Sequence, residues 1–233
     1  MKLFEIALEY HDTLNPKLWE NNKLKPEIRK KLNQNVDEFI DFIGIKDLPI
    51  DNVVITGSNA NYNWTNSSDI DVHIIIDMDK LKAECEEYTD DYFNDKKIIW
   101  NEHHDAKIYG LPIEMYVQDV AEKHIATGLY SLANNEWIMK PKYKKPSIND
   151  EAVKAKADYF KKIIDELVDN KGAPKAVTAV KNKIRKLRNA GLAAAGEFST
   201  ENLAFKELRK SGHLEKLSKY AKQAKSEKLS LTK

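Results

Sequence analysis

Apolar positions along the chain change period several times, and each change marks an element. In "KPEIRKKLNQNVDEFIDFIGI" the residues Ile28, Leu32, Val36, Phe39, Ile40 and Ile43 recur every three or four positions, with Pro26 suited to a first turn and Gly44 to an end. That spacing predicts an amphipathic helix. Asn52–Thr56 and Asp69–Asp77 are short β-branched runs, the first stopped by Gly57, and both read as strands. Leu81, Cys85, Tyr88 and Tyr92 return to helical spacing and predict one helix from about Asp79 to Asp95. "AKIYGLPIEMYVQD" breaks at Gly110-Leu111-Pro112 and alternates on either side, the mark of a hairpin whose second strand runs from Ile113 to about Gln118. "GLYSLANNEWI" predicts a further short strand and a turn at Asn134-Asn135.

Beyond the basic, proline-containing connector Lys140–Ser147 the pattern is helical throughout. Val153, Phe160, Ile163, Ile164 and Leu167 trace one helix, and Val177, Val180, Ile184 and Leu187 a second. A third runs from Leu203 to Leu217, entered at Ser199 or Thr200 and interrupted by Gly212. The expected organisation is therefore an α/β (α+β) core in residues 1–139, with a mixed, mostly antiparallel sheet flanked by helices, and a helical domain in residues 140–233.

Charge divides the chain at nearly the same place. Residues 1–137 hold 14 Lys/Arg against 26 Asp/Glu, a balance of −12, while the remainder hold 24 against 11, a balance of +13. Either the halves attract each other, or the basic half faces a polyanion such as nucleic acid or a triphosphate, or its lysines simply cover solvated helices. The second C-terminal helix concentrates the question, because Lys181, Lys183, Arg185, Lys186 and Arg188 cover it and no aromatic residue interrupts them to stack on bases. No segment approaches the roughly 18 uninterrupted apolar residues of a membrane span, and acid appears within five residues of Met1, unlike a secretory leader. Cys85 is the single cysteine, so no intramolecular disulfide forms. A cytosolic protein without a membrane partner is expected.

Candidate chemistry lies in "VVITGSNANYNWTNSSDIDVHIIID", Val53–Asp77. Strand alternation points Asp69, Asp71 and His73 to one face, and Ile70, Val72, Ile74 and Ile76 to the other. Two carboxylates held together repel unless a cation lies between them, and oxygen-only ligands favour Mg²⁺ or Mn²⁺. Glu114 supplies a third carboxylate, preferred over Asp105 and Asp119 because Ile113, Met115 and Val117 alternate away from it. Gly57 lets backbone approach a ligand closely, and Ser58 offers a hydroxyl and an amide to phosphate. Ser67 and Ser68 either order the approach to Asp69 or are plain loop. Tyr130, Ser131 and Asn134, following the strands, are candidates for base or ribose, with core or turn packing as the alternative. His103 and His104, read on a strand, would face oppositely and so form no metal pair.

A lone Asp-x-Asp also occurs in calcium loops and glycosyltransferases. Here the apolar strand follows the pair rather than preceding it, and the calcium-loop glycine is missing. The order Gly57-Ser58, ten residues, Asp69-Ile70-Asp71, then Glu114 on a later strand resembles the DNA polymerase β-type nucleotidyltransferase superfamily. "TGSNANYNWTNSSDIDVHIIID" and "IEMYVQD" are similar to a group of nucleotidyltransferases frequent in phage genomes, a likeness running from about Leu14 to Leu217. The resemblance implies that Asp69 and Asp71 bind two Mg²⁺ (or Mn²⁺) ions, and that Glu114 joins them at the catalytic ion and accepts the nucleophile's proton. It also implies that Gly57 and Ser58 hold the β- and γ-phosphates of an NTP. His73 departs from the apolar residue usual at its position. The implied reaction transfers NMP to an acceptor hydroxyl, on an RNA 3′ end, a nucleotide, a small molecule or a protein. The rival reading is a non-catalytic nucleotide- or RNA-binding protein with a relic site.

Overall fold

The computed structural model describes residues 10–66, 68–84, 90–122, 127–143 and 148–231. Cys85 and Tyr88 of the expected helix, Ser67, and residues 144–147 of the connector lie outside these. The chain divides into two compact units, one spanning Glu9–Lys144 and the other containing Lys145–Lys233.

The first unit is a mixed sheet with helices on one face. A two-residue ribbon, β1 (Trp19–Glu20) with β2 (Lys23–Leu24), leads into α1 (Pro26–Ile43), whose buried positions Ile28, Leu32, Val36, Phe39 and Ile43 are those the periodicity selects. Gly44 caps that helix. Strands β3 (Ile50–Thr56), β4 (Ile70–Ile76), β5 (Lys107–Ile108), β6 (Leu111–Asp119), β7 (Leu129–Ser131) and β8 (Glu136–Met139) form one sheet in the order β5-β6-β4-β3-β7-β8. Only β4 and β6 run parallel; the other neighbours are antiparallel. The sheet is therefore mixed and mostly antiparallel.

Between β4 and β5 the chain passes through α2 (Met78–Glu84) and α3 (Asp90–His103), so α3 continues well past Asp95. The apolar spacing fails to trace this helix because Phe93 and Trp100 are buried while Ile98 and Ile99 stand exposed on it. His103 is thus the last residue of a helix rather than part of a strand, and His104 stacks on Trp100 at 3.7 Å. Helix α3 also serves the open end of α1, which has no basic residue in its own last turn: Tyr92 Oη donates to the Ile43 carbonyl at 2.6 Å and Lys96 Nζ to that of Phe42 at 2.9 Å. The β5–β6 turn is Tyr109-Gly110, both with positive φ, the two-residue turn whose twist suits a hairpin. Leu111 and Pro112, expected in the break, lie in the strand.

The second unit is helical: α4 (Asp150–Asp169), α5 (Pro174–Ala195), α6 (Thr200–Lys210) and α7 (His213–Leu229) pack Phe160, Ile164, Val177, Ile184, Leu208 and Leu217 together. Asn149 and Ser199 cap α4 and α6, their side chains accepting from the amides of Ala152 and Asn202. Around Gly212 the expected third helix becomes two, α6 and α7. Among the described residues no helix is long and apolar enough to cross a membrane.

Candidate active site

Sheet register divides the side chains of the first unit between two faces. Ile55 pairs with Val72, and Val72 with Met115; these lie on the face buried against α1 and α3, in the core with Phe39, Phe93 and Trp100. One residue along, Thr56 pairs with Asp71, and Asp71 with Glu114. Alternation puts that row on the opposite face. Asp71 and Glu114 are direct neighbours on adjacent parallel strands, about 4.8 Å apart in the hydrogen-bonding direction. Asp69, just ahead of β4, shares their alternation, and all three are half-buried. Of the rival carboxylates, Asp119 lies at the far end of β6 opposite Ile76, and Asp105 is an exposed partner of Lys107.

Gly57 completes the row. It leaves β3 with φ +73 and ψ −160, a conformation essentially restricted to glycine, and a Cβ there would stand 1.9 Å from Oδ2 of Asp71. Backbone and carboxylate therefore share a space that any other residue would fill. Ser58, half-buried, begins the short 3₁₀ turn Ser58–Ala60 that follows.

That turn also anchors Asp69, through a residue the sequence pattern did not single out. Asn59 is fully buried, and its Nδ2 donates to the carbonyls of Ser68 at 3.1 Å and Asp69 at 2.8 Å. It is held in turn by Asn15 Nδ2, which donates to its Oδ1 at 2.8 Å, and by Trp19 Nε1, which donates to its carbonyl at 2.7 Å. One turn thus presents Gly57 and Ser58 and fixes the backbone of the first aspartate. Ser68 Oγ accepts from the Thr65 amide at 2.9 Å, so its hydroxyl orders the approach to Asp69. Gly128 was likewise unmarked: a Cβ there would lie 1.9 Å from the Ala60 carbonyl oxygen, and its own carbonyl accepts from Thr56 Oγ1 at 3.3 Å. The chain entering β7 is pressed against the same turn.

Tyr130 and Ser131 do not join the carboxylates. Tyr130 pairs with Ile55, which turns its ring to the α1 side, where it is fully buried edge-on to Trp19 and Trp137. Its hydroxyl accepts from the Leu24 amide and donates to Asn135 Oδ1, and burial pushes its phenol above the usual range. Ser131 is fully buried, donates to Asn52 Oδ1 and accepts from the Asn134 amide, closing the β7–β8 turn. The register thus packs Tyr130 on the helix side, while Ser131, opposite Val54, has its hydroxyl engaged by Asn52 and the turn. His73 shares the carboxylate face; its Nδ1 donates to Gln118 Oε1 at 2.7 Å and its ring lies 4.9 Å from that of Tyr116.

Among the described residues no group of three or more His, Cys, Asp and Glu side chains stands ready as a metal site. The carboxylates are gathered by backbone register rather than by a closed cage. Two features fit a divalent cation that arrives with a phosphate ligand: the donors are all oxygen, and Gly57, lacking a Cβ, lets the Asp71 carboxylate lie against its backbone. No protein-family model, curated protein or solved structure matches the chain.

Proposed function

We propose that the chain is a metal-dependent nucleotidyltransferase of the DNA polymerase β type, transferring NMP from an NTP to an acceptor hydroxyl with release of pyrophosphate. The observation that carries this reading is the row Gly57, Asp71, Glu114, in which a glycine that admits no Cβ abuts one carboxylate and the strand register sets a second beside it.

Each residue has a role that its position suits. Asp69 and Asp71 hold Mg²⁺ or Mn²⁺, which when bound offsets the repulsion between the carboxylates and the charge of the departing pyrophosphate. Glu114 accepts the proton of the attacking hydroxyl. The amide and hydroxyl of Ser58, with the bare backbone of Gly57, bind phosphate oxygens beside Asp71. Asn59 is a positioning residue, acting on the metal-binding group only through the Asp69 backbone. Attack is in line on the α-phosphorus: the new oxygen–phosphorus bond forms as the bond to the bridging oxygen breaks, and pyrophosphate carries off the electron pair.

Incubation with labelled NTPs, Mg²⁺ or Mn²⁺ and pooled RNA, nucleotides and protein acceptors tests the proposal. Labelled product is expected from the wild type and is lost in Asp69→Ala and Asp71→Ala. Absence of product with every NTP and acceptor class would leave only binding.

A further inference from the structure

On α4 and α7 several basic residues are matched to carboxylates: Lys156 to Glu201, Lys161 to Glu207 at 3.0 Å, Lys216 to Asp165 at 2.7 Å, and Lys219 to Glu215 at 2.8 Å. Helix α5 is different. Its 22 residues contain six Lys and Arg and no Asp or Glu, and Lys175, Lys181, Arg185 and Lys186 are exposed and make no ion pair among the described residues.

Their arrangement is selective. Lys175, Asn182, Lys186 and Asn189, at helical spacing, form one exposed stripe with Arg185 at its edge, opposite the buried Val177 and Ile184. From Lys175 to Lys186 the stripe extends about 16 Å at 1.5 Å per residue, enough to follow several phosphates. The residues between the cations, Thr178, Ala179 and Asn182, are small or polar. A membrane-surface helix would instead carry bulky apolar residues to insert.

The sequence of α5 lacks an aromatic platform, and the fold supplies one from α4. Tyr159 remains 53% exposed, and Lys183 of α5 reaches it, with Nζ donating to the Tyr159 hydroxyl at 3.2 Å and lying 5.2 Å from the ring centre. An exposed ring bordering an unpaired basic stripe is the combination that holds unpaired bases and their backbone together.

We infer that the exposed face of α5, with Tyr159 at its border, binds single-stranded nucleic acid. Phosphates lie along Lys175, Arg185 and Lys186, and a base stacks on Tyr159. That this strand is also the acceptor rests on the transfer reaction proposed above; the binding does not, and the two fail separately.

Fluorescence anisotropy of a labelled 12-nucleotide oligouridylate with the full chain, across 50–200 mM salt, tests it. Neutralising the stripe with Lys175→Gln, Arg185→Gln and Lys186→Gln should weaken binding at least tenfold and flatten the log–log salt slope by about 2, at roughly 0.7 per phosphate contact on a single strand. Tyr159→Ala should weaken it about tenfold at unchanged slope, while Tyr159→Phe keeps the wild-type affinity. Asp69→Ala should bind like the wild type whether or not transfer occurs. The inference is overturned if the wild type does not bind the oligonucleotide, or if the triple variant binds as tightly with the same slope. It is equally overturned if Tyr159→Ala changes nothing, or if duplex RNA or phosphatidylserine vesicles are preferred to the single strand.

Discussion

A Cβ on Gly57 would stand 1.9 Å from Oδ2 of Asp71, and Gly57 itself has φ +73. Gly57→Ala therefore carries two penalties, backbone strain of about 1–3 kcal/mol and displacement of the carboxylate. We predict that urea unfolding shows a destabilisation of at least that size, and that transfer falls about 100-fold, the usual cost of shifting a reacting group by an ångström. In an Asp71→Ala background the same substitution should cost less stability, because the displaced carboxylate is gone. Equal costs in both backgrounds would show that only the strain matters.

Asn59 joins the Ser58–Ala60 turn to Asp69 through two carbonyls and is fully buried. Asn59→Ala leaves both carbonyls without their donor and should cost about 1–3 kcal/mol. Asn59→Asp should cost more, since it sets an acceptor against them. Both variants should lower kcat more than they raise the KM for NTP, because the first aspartate loses its anchor while Gly57 and Ser58 remain. Urea unfolding and steady-state kinetics check the two halves of this prediction.

Asp71→Asn removes charge from a face that already crowds carboxylates. Without metal its melting temperature should match the wild type within about 2 °C, because relief of repulsion offsets lost contacts. At 100 times the dissociation constant, Mg²⁺ with a non-hydrolysable NTP should stabilise the wild type by about 2.7 kcal/mol, or roughly 5–10 °C for a chain of this size, and should not stabilise the variant. A large fall in the metal-free variant would mark Asp71 as structural.

The helical unit should weaken in acid. Hydrogen bonding from Lys156 holds the Glu201 carboxyl below its ordinary value of 4.5, and Lys216 does the same to Asp165, ordinarily 3.8. A carboxylate lowered on folding contributes stability above its unfolded pKa, and loses it as pH falls through the folded one. Thermal melts should therefore be flat from pH 7 to about 5 and decline below 4.5, and Glu201→Gln should start lower and decline less.

What could be read before the fold was known depended on the range of the determining interaction. Alternation within one strand is local, so the shared face of Asp69 and Asp71, and the outward turn of Glu114 from Ile113 and Met115, were legible. The fold class followed from the same local periods, as in α1, where the buried residues are those the spacing selected. Tyr130 shows where such reasoning stops: its position after the strands says nothing of its face, which is decided by pairing with Ile55, 75 residues earlier in the chain. Asn59 is one of several asparagines in its loop, and its role exists only because Asn15 and Trp19 come from 44 and 40 residues away to hold it. Helix α3 hid its length because Ile98 and Ile99 face outward, which blurs the period. The neighbourhood of Tyr159 and Lys183, on separate helices, is likewise a product of packing.

The central claim is that Asp69, Asp71 and Glu114 gather divalent metal together with a nucleoside triphosphate. Anomalous scattering from crystals soaked with Mn²⁺ and a non-hydrolysable NTP measures this most directly. The account predicts manganese among the three carboxylates, with the triphosphate against Gly57 and Ser58. Manganese and nucleotide bound elsewhere, or a bare carboxylate face in crystals whose nucleotide is ordered, would contradict it.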